Sequence, residues 1–167
     1  MRRPLVLTGG PAVGKSTCAA ALADAHPPTA RIEVDDLRLL LTGAVPPWTG
    51  TAGEEQQALG ARNACALARN FLAAGVDVVV TDVLTPATAE IYRTELPGVL
   101  VVRLRLDFAE AVRRASTRPV HLTEQEFAWV HRRDQDDPPD AEVLLEVDGW
   151  DVERQVAELD RLWAGGE

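Results

Sequence analysis

The chain has 167 residues, a formal net charge of −9 and 46% hydrophobic residues, enough for one domain, 1–167, that buries a core without disulfides or metals. The acidic balance argues against a protein that tracks long nucleic acid, and no apolar run is long enough to span a membrane. Cys18 and Cys65 lie in helix-like stretches without metal-ligand spacing, and Met1-Arg2-Arg3 leads into only a short apolar run, so the expected location is the cytoplasm.

Leu5 to Thr8 reads as a strand, and the loop after it is Gly9-Gly10-Pro11-Ala12-Val13-Gly14-Lys15-Ser16-Thr17, a G-x-x-x-x-G-K-S pattern that opens an Ala-rich helix from about Gly14 to Ala25. Glycines at 9, 10 and 14 permit backbone angles that let consecutive N–H groups face an anion at a helix N-terminus. Lys15 would reach the β- and γ-phosphates of a nucleoside triphosphate, and the Ser16 hydroxyl would bind Mg²⁺. Lys15 is the only lysine among seventeen basic residues, so a chain that otherwise uses arginine departs from that habit here.

Arg31 to Val34 reads as a short strand followed at once by Asp35-Asp36-Leu37-Arg38, and Thr42 to Gly53, with Pro46-Pro47 and an isolated Trp48, reads as a loop. Glu54 to Gly75 has the length and Ala/Leu content of a long helix despite Gly60. Val76 to Thr81 is the continuous apolar run of a strand buried on both faces, ending on Asp82. The alternation continues with a helix over 86–96, a strand over 99–106, a helix over 108–116 with Asp107 as its N-cap, and a helix over 122–136. A last strand, 143–147, precedes a final helix whose stripe is Val152, Val156, Leu159 and Trp163. Five strands separated by helices imply an α/β fold, a five-stranded, mostly parallel sheet with helices on both faces and ligands at the strands' carboxyl ends.

The polar residues at those ends suit phosphoryl transfer to an alcohol, which needs a carboxylate to accept the hydroxyl proton and cations to spread the developing charge. Asp35 is the expected base. Arg38, on the same face of the next turn, would hold the acceptor or the transferred group. Asp82 could bind Mg²⁺, directly or through water, or accept hydrogen bonds from Arg38 or the acceptor. Arg113, Arg114 and Arg118 belong to an expected lid over about 113–135, with Arg114 toward the nucleotide and Arg118 best placed to swing inward. Arg132-Arg133 beside Asp134, Asp136 and Asp137 reads as a surface salt-bridge cluster. Trp48 is a candidate wall of the acceptor pocket, and Trp129, Trp150 and Trp163 are core or edge residues by default.

The loop 9–17, the Asp35-Asp36-Leu37-Arg38 segment, Thr81-Asp82 and the Arg-rich stretch 112–118 together resemble the small P-loop kinases grouped around the 5′-kinase domain of polynucleotide kinase, chloramphenicol phosphotransferase and zeta toxins. The resemblance implies a P-loop NTPase fold of the nucleoside-kinase kind, ATP and Mg²⁺ as cofactors, Asp35 as base, Arg38 as phosphate and acceptor contact and Arg118 as lid arginine. Residues 39–60 contain no basic side chain and include Glu54-Glu55, which favours a small neutral or cationic hydroxyl-bearing acceptor, such as an antibiotic or other natural product, over a polynucleotide or nucleoside 5′-hydroxyl. A regulatory nucleotide-binding module or slow ATPase is the alternative from another class; it would bind a partner in an ATP-dependent way without needing Asp35.

Overall fold

The computed structural model describes residues 1–117 and 122–165, so Arg118 and His121 lie outside the described residues. Its strands are β1 (Leu5–Thr8), β2 (Thr29–Glu33), β3 (Asp77–Thr81), β4 (Leu100–Arg105) and β5 (Val143–Glu146). The helices are α1 (Lys15–Ala25), α2 (Val34–Leu39), α3 (Gly50–Ala73), α4 (Pro86–Glu95), α5 (Phe108–Ala115), α6 (Glu124–Asp136) and α7 (Val152–Trp163).

The strands form one sheet in the order β2-β3-β1-β4-β5, and every adjacent pair is parallel rather than most of them. Parallel pairing demands crossover connections, and the helices that make them cover both faces. Period-two alternation sorts the side chains. Leu5, Leu7 and Val79 face a cluster with Leu22 of α1, Phe127 of α6 and Leu159 and Trp163 of α7, whereas Val6, Val78 and Val80 face one with Ala64 and Ala68 of α3 and Tyr92 of α4. The uninterrupted apolar run at 78–80 is therefore the mark of a strand covered twice.

Most boundaries differ from the sequence reading by a residue or two, and two of the differences move the site. β2 ends at Glu33, and Val34 already belongs to α2, so the residue at the strand's carboxyl end is Glu33. α3 begins at Gly50, within the segment read as loop, because Gly53 lets the carbonyls of Pro46 and Pro47 lie across the helix's first turns; a Cβ there would sit 2.6 Å from each oxygen. Mid-helix Gly60 has a similar origin, since a Cβ would come within 3.2 Å of Val34 Cγ1 and 3.3 Å of Arg38 Nε.

α6 is fastened to the sheet by a buried ion pair: Arg103 of β4 donates to Asp134 Oδ2 at 3.0 Å and also bonds the Asp134 carbonyl. Asp134 thus pairs inward rather than with Arg132 and Arg133 in a surface cluster. Of the stretch expected to form a lid, Phe127, His131 and Asp134 are buried, so its later turns pack on the core. Asp134→Ala strands the Arg103 guanidinium in the interior and should cost about 3–5 kcal/mol in urea unfolding, whereas replacing both partners with Met and Leu should restore most of that loss. A single-variant loss under about 1 kcal/mol would show that the pair does not fasten α6.

Candidate active site

The site is built where β1, β2 and β3 end. Their parallel register places Leu7 beside Thr81 and Thr81 beside Glu33, so the loop after β1 and the segments after β2 and β3 emerge on one edge. Gly9 takes φ +135° and Gly14 φ +110°, conformations that side chains rarely adopt. A Cβ on Gly9 would also lie 2.2 Å from the Leu104 carbonyl oxygen, so glycine is demanded there twice over. Gly10 has no positive φ, contrary to the reading that all three glycines need one. Its requirement is close approach, since a Cβ would meet His131 Nδ1 at 3.0 Å, and the third left-handed residue of the loop is Ala12 at φ +63°.

Gly14 caps the N-terminus of α1 without a side-chain bond, and Gln155 of α7 packs against it. The Lys15 ammonium folds over the loop, donating to the carbonyls of Gly9 at 2.7 Å and Gly10 at 3.0 Å. Burial lowers its pKa below the usual lysine value, opposed by Asp35, Asp134, Asp82 and Glu33. Ser16 Oγ donates to Glu33 Oε2 at 2.9 Å, and Thr81 Oγ1 donates to the same oxygen. The other Glu33 oxygen, Oε1, is buried without a hydrogen-bond partner.

Asp35 and Arg38 lie one turn apart on α2, and Arg38 joins two carboxylates. Its Nη1 donates to Asp35 Oδ1 at 2.6 Å and its Nη2 to Asp82 Oδ1 at 2.9 Å. The two acids differ in surroundings: the Asp35 side chain is 84% exposed and that of Asp82 wholly buried. Asp82 also accepts from the Val83 N–H at 2.8 Å and the Tyr92 hydroxyl at 3.1 Å. Its hydrogen-bonding partners among the described residues are thus Arg38, Val83 and Tyr92, and the carboxylate beside Ser16 is Glu33. Burial raises the Asp82 pKa while Arg38 opposes the rise, and burial beside Asp82 drives the Tyr92 hydroxyl well above the usual tyrosine range.

Two cavities flank the loop. The larger, about 910 Å³, is bounded by Lys15, Ser16, Glu33, the Asp35–Arg38 pair and Asp82, and on its far side by Trp48 and Trp129. Those two rings stand edge to face, 6.0 Å apart at 69°, and Arg133 lies over Trp129 at 5.3 Å. Trp129, read as a core or edge residue, instead faces this cavity because Asp134 and Phe127 set the rotation of α6. The smaller cavity, about 550 Å³, lies on the other side, between Gly14 and Thr17, Arg113 and Arg114 of α5, and Trp150.

Arg114 is a tether in this wall, bonded to Glu110 at 2.9 Å and to the carbonyls of Val147 and Trp150. Arg113 pairs with Glu110 at the surface, and the two arginines hold that carboxyl down at about 2. Trp150 carries Arg154 over its ring at 4.1 Å. Glu33, Trp129 and His131 are the site's neighbours that sequence reasoning missed. Only Glu33 left a signal, an acid in an apolar strand two residues before Asp35.

No protein-family model matches the chain, and no curated protein matches it. Solved structures do. A sugar kinase from Janibacter sp. HTCC2649 is similar with a TM-score of 0.76 at 19% identity, covering 99% of this chain and 95% of that one. A gluconokinase from Sinorhizobium meliloti 1021 has a TM-score of 0.70 at 20% identity over 98% and 95% of the two chains. The Mycobacterium tuberculosis APS kinase, solved in complex with AMPPNP and APS, has a TM-score of 0.67 at 16% identity over 96% and 97%. At these identities the likeness is one of fold: an α/β chain with a five-stranded, all-parallel sheet that matches P-loop, nucleoside-kinase-like structures over almost its full length.

Proposed function

We propose that this chain is a phosphotransferase that moves the γ-phosphoryl group of ATP to a hydroxyl of a small molecule. The observation that carries the reading is the larger cavity, which opens on Lys15 and Ser16 and has the Asp35–Arg38–Asp82 chain in its wall. The nucleoside would occupy the smaller cavity beside Trp150 and the phosphates the loop 9–17, so that the γ-phosphoryl group meets an acceptor lodged in the larger one. The similar structures support the same direction, being a sugar kinase, a gluconokinase and an APS kinase, the last in complex with AMPPNP and APS. The carboxyl-end placement matches where open α/β sheets bind ligands.

In this reading the acceptor oxygen attacks the γ-phosphorus as the bond to the β–γ bridging oxygen breaks, and the electron pair leaves with ADP. Asp35 Oδ1 is held by Arg38, and Oδ2, which has no partner among the described residues, takes the hydroxyl proton. Lys15 exchanges its bonds to the loop carbonyls for phosphate oxygens, a charge-assisted replacement. A divalent cation fits the remaining residues, because Glu33 Oε1, which makes no hydrogen bond and has only Arg31 Nε 3.8 Å away as an ionic neighbour, and the Ser16 hydroxyl are hard oxygen donors side by side. Bound there, Mg²⁺ would offset charge on the phosphoryl oxygens. Antibiotics and other natural products remain within the proposed acceptor class.

Calorimetry with ATP and a mass-based screen for one added phosphate test this. Asp35→Ala should lower turnover by about 10²- to 10⁴-fold while ATP still binds, and Lys15→Ala should weaken ATP binding itself. Near-parental turnover in Asp35→Ala would move the base elsewhere. Glu33→Gln should raise the Mg²⁺ concentration for half-maximal rate about tenfold or more; an unchanged requirement would remove Glu33 from the metal's surroundings.

Arg38 has a second role in this scheme, as counter-charge to a buried acid. Without it, Asp82 faces Tyr92 and the neighbouring Asp35 charge and keeps its proton in the folded state to higher pH. In the unfolded chain it loses that proton near 3.8. The unfolded state then gains free energy as pH rises, so Arg38→Ala should lose stability relative to the parent progressively above that value, reaching about 3–5 kcal/mol. Urea midpoints measured from acid to neutral pH check the sign; a difference that stays flat or shrinks refutes it.

A further inference from the structure

The larger cavity has little charge left to offer. Lys15 lies on the loop carbonyls, Arg38 between Asp35 and Asp82, Asp134 on Arg103, and Glu33 on Ser16 and Thr81. Among the described wall residues, Lys15, Asp36 and Arg133 carry a charge without an ionic partner; Lys15 is bonded to loop carbonyls and is committed to the phosphates in the proposed reading, and Arg133 is engaged over Trp129. With Lys15 given to the phosphates, a charged acceptor would meet only Asp36 or an Arg133 already held over Trp129, or would have to break one of these pairs, and burying an uncompensated charge is costly.

A neutral polar group is in place instead. Gln57, in the third turn of α3, lines the same cavity and is only 6% exposed, yet its amide has no hydrogen-bond partner among the described residues. Gln57 is not among the side chains with a fully buried, unpartnered polar atom, so its amide opens on the cavity, and an amide held there without a protein partner is a place where a ligand completes the bonding. Trp48 and Trp129 offer flat apolar surface in an edge-to-face corner of that cavity, and such aromatic surfaces suit the apolar face of a ring.

We infer that Gln57 reads the acceptor, and that the acceptor is an uncharged hydroxylated ring compound. Its ring face packs in the Trp48–Trp129 corner, and a hydroxyl or carbonyl on its edge is bonded by the Gln57 amide. The inference rests on the assignment of the larger cavity to the acceptor and narrows the class of molecule that assignment allows. An amide donates and accepts in one group, which suits hydroxyls and carbonyls and gives a carboxylate or ammonium group no counter-charge. Specificity then comes from leaving Gln57 unpaired when a compound lacks that edge group.

The test uses the full chain with matched pairs that differ in charge: methyl shikimate and shikimate, methyl glucoside and methyl glucuronide, uridine and uridine 5′-phosphate. ATP binding and hydrolysis without acceptor are recorded first. The expected result is that a neutral member takes up one phosphate with kcat/KM at least about tenfold above its charged counterpart. Gln57→Leu should raise the KM for that acceptor about tenfold while the ATP dissociation constant stays at the parental value. Gln57→Arg should shift the preference toward the charged member. Preference for the charged compounds, no transfer to any neutral one, or a parental acceptor KM in Gln57→Leu would each overturn the inference. If the parent binds no ATP, the phosphotransferase reading fails as well; if it binds and hydrolyses ATP yet accepts no neutral compound, only the present inference fails.

Discussion

Arg38 is the joint on which the site depends. One guanidinium spans an exposed carboxylate on α2 and a buried one at the end of β3, and a planar five-donor group is the side chain able to serve both at once. Its position is bought by a glycine in the middle of α3, where a side chain would crowd Arg38 and Val34. Asp82, by holding Arg38, also holds Asp35 in the cavity wall, and Tyr92 closes the far side of Asp82 from α4. A change at Gly60, Asp82 or Tyr92 would be felt at Asp35 without touching it.

The opposite wall has its own buried fastening. Arg103 and Asp134 set α6 against the sheet, and the rotation they impose presents Trp129 to Trp48 and lays His131 over Gly10. His131 is buried, its ring 5.0 Å from Phe108 and its Nε2 meeting the Gln135 amide at 3.0 Å. Burial lowers the pKa of this imidazole, so at neutral pH it is an uncharged packing group against the loop. The loop 9–17 is thereby gripped from three directions: Leu104 behind Gly9, His131 over Gly10 and Gln155 against Gly14. Such support keeps the N–H groups of the turn in place, the preorganisation that the proposed phosphate cradle would require.

Much of this architecture was legible in the chain, and the gaps have physical causes. The alternation of apolar runs and helical stretches predicted all five strands, because a strand covered on both faces must be apolar throughout. The Gly-rich loop announced itself because its backbone angles and close contacts exclude side chains. Glu33 escaped because strand and helix propensities do not locate a boundary to one residue, and one residue decides which acid stands beside Ser16. Gln57 escaped because an amide on a polar-looking helix carries no mark of burial until the cavity beside it is known. For Asp82 the expected hydrogen bond from Arg38 is in place, and with it bonds from Val83 and Tyr92 that the sequence did not indicate, partners drawn from three segments.

By itself the sequence determined what is local: the loop, its lone lysine, the order of strands and helices, and the acids that follow strand ends. These depend on backbone conformation and on periodicity, which a chain carries along its own length. The tertiary structure alone decided which groups are paired and which are left over. Asp35 is exposed and Asp82 buried, Asp134 turns inward to Arg103, Trp129 meets Trp48, and Glu33 Oε1 and the Gln57 amide make no hydrogen bond among the described residues. Pairing is a property of packing between distant segments, here as far apart in sequence as Arg38 and Asp82 or Trp48 and Trp129, and no local pattern encodes it.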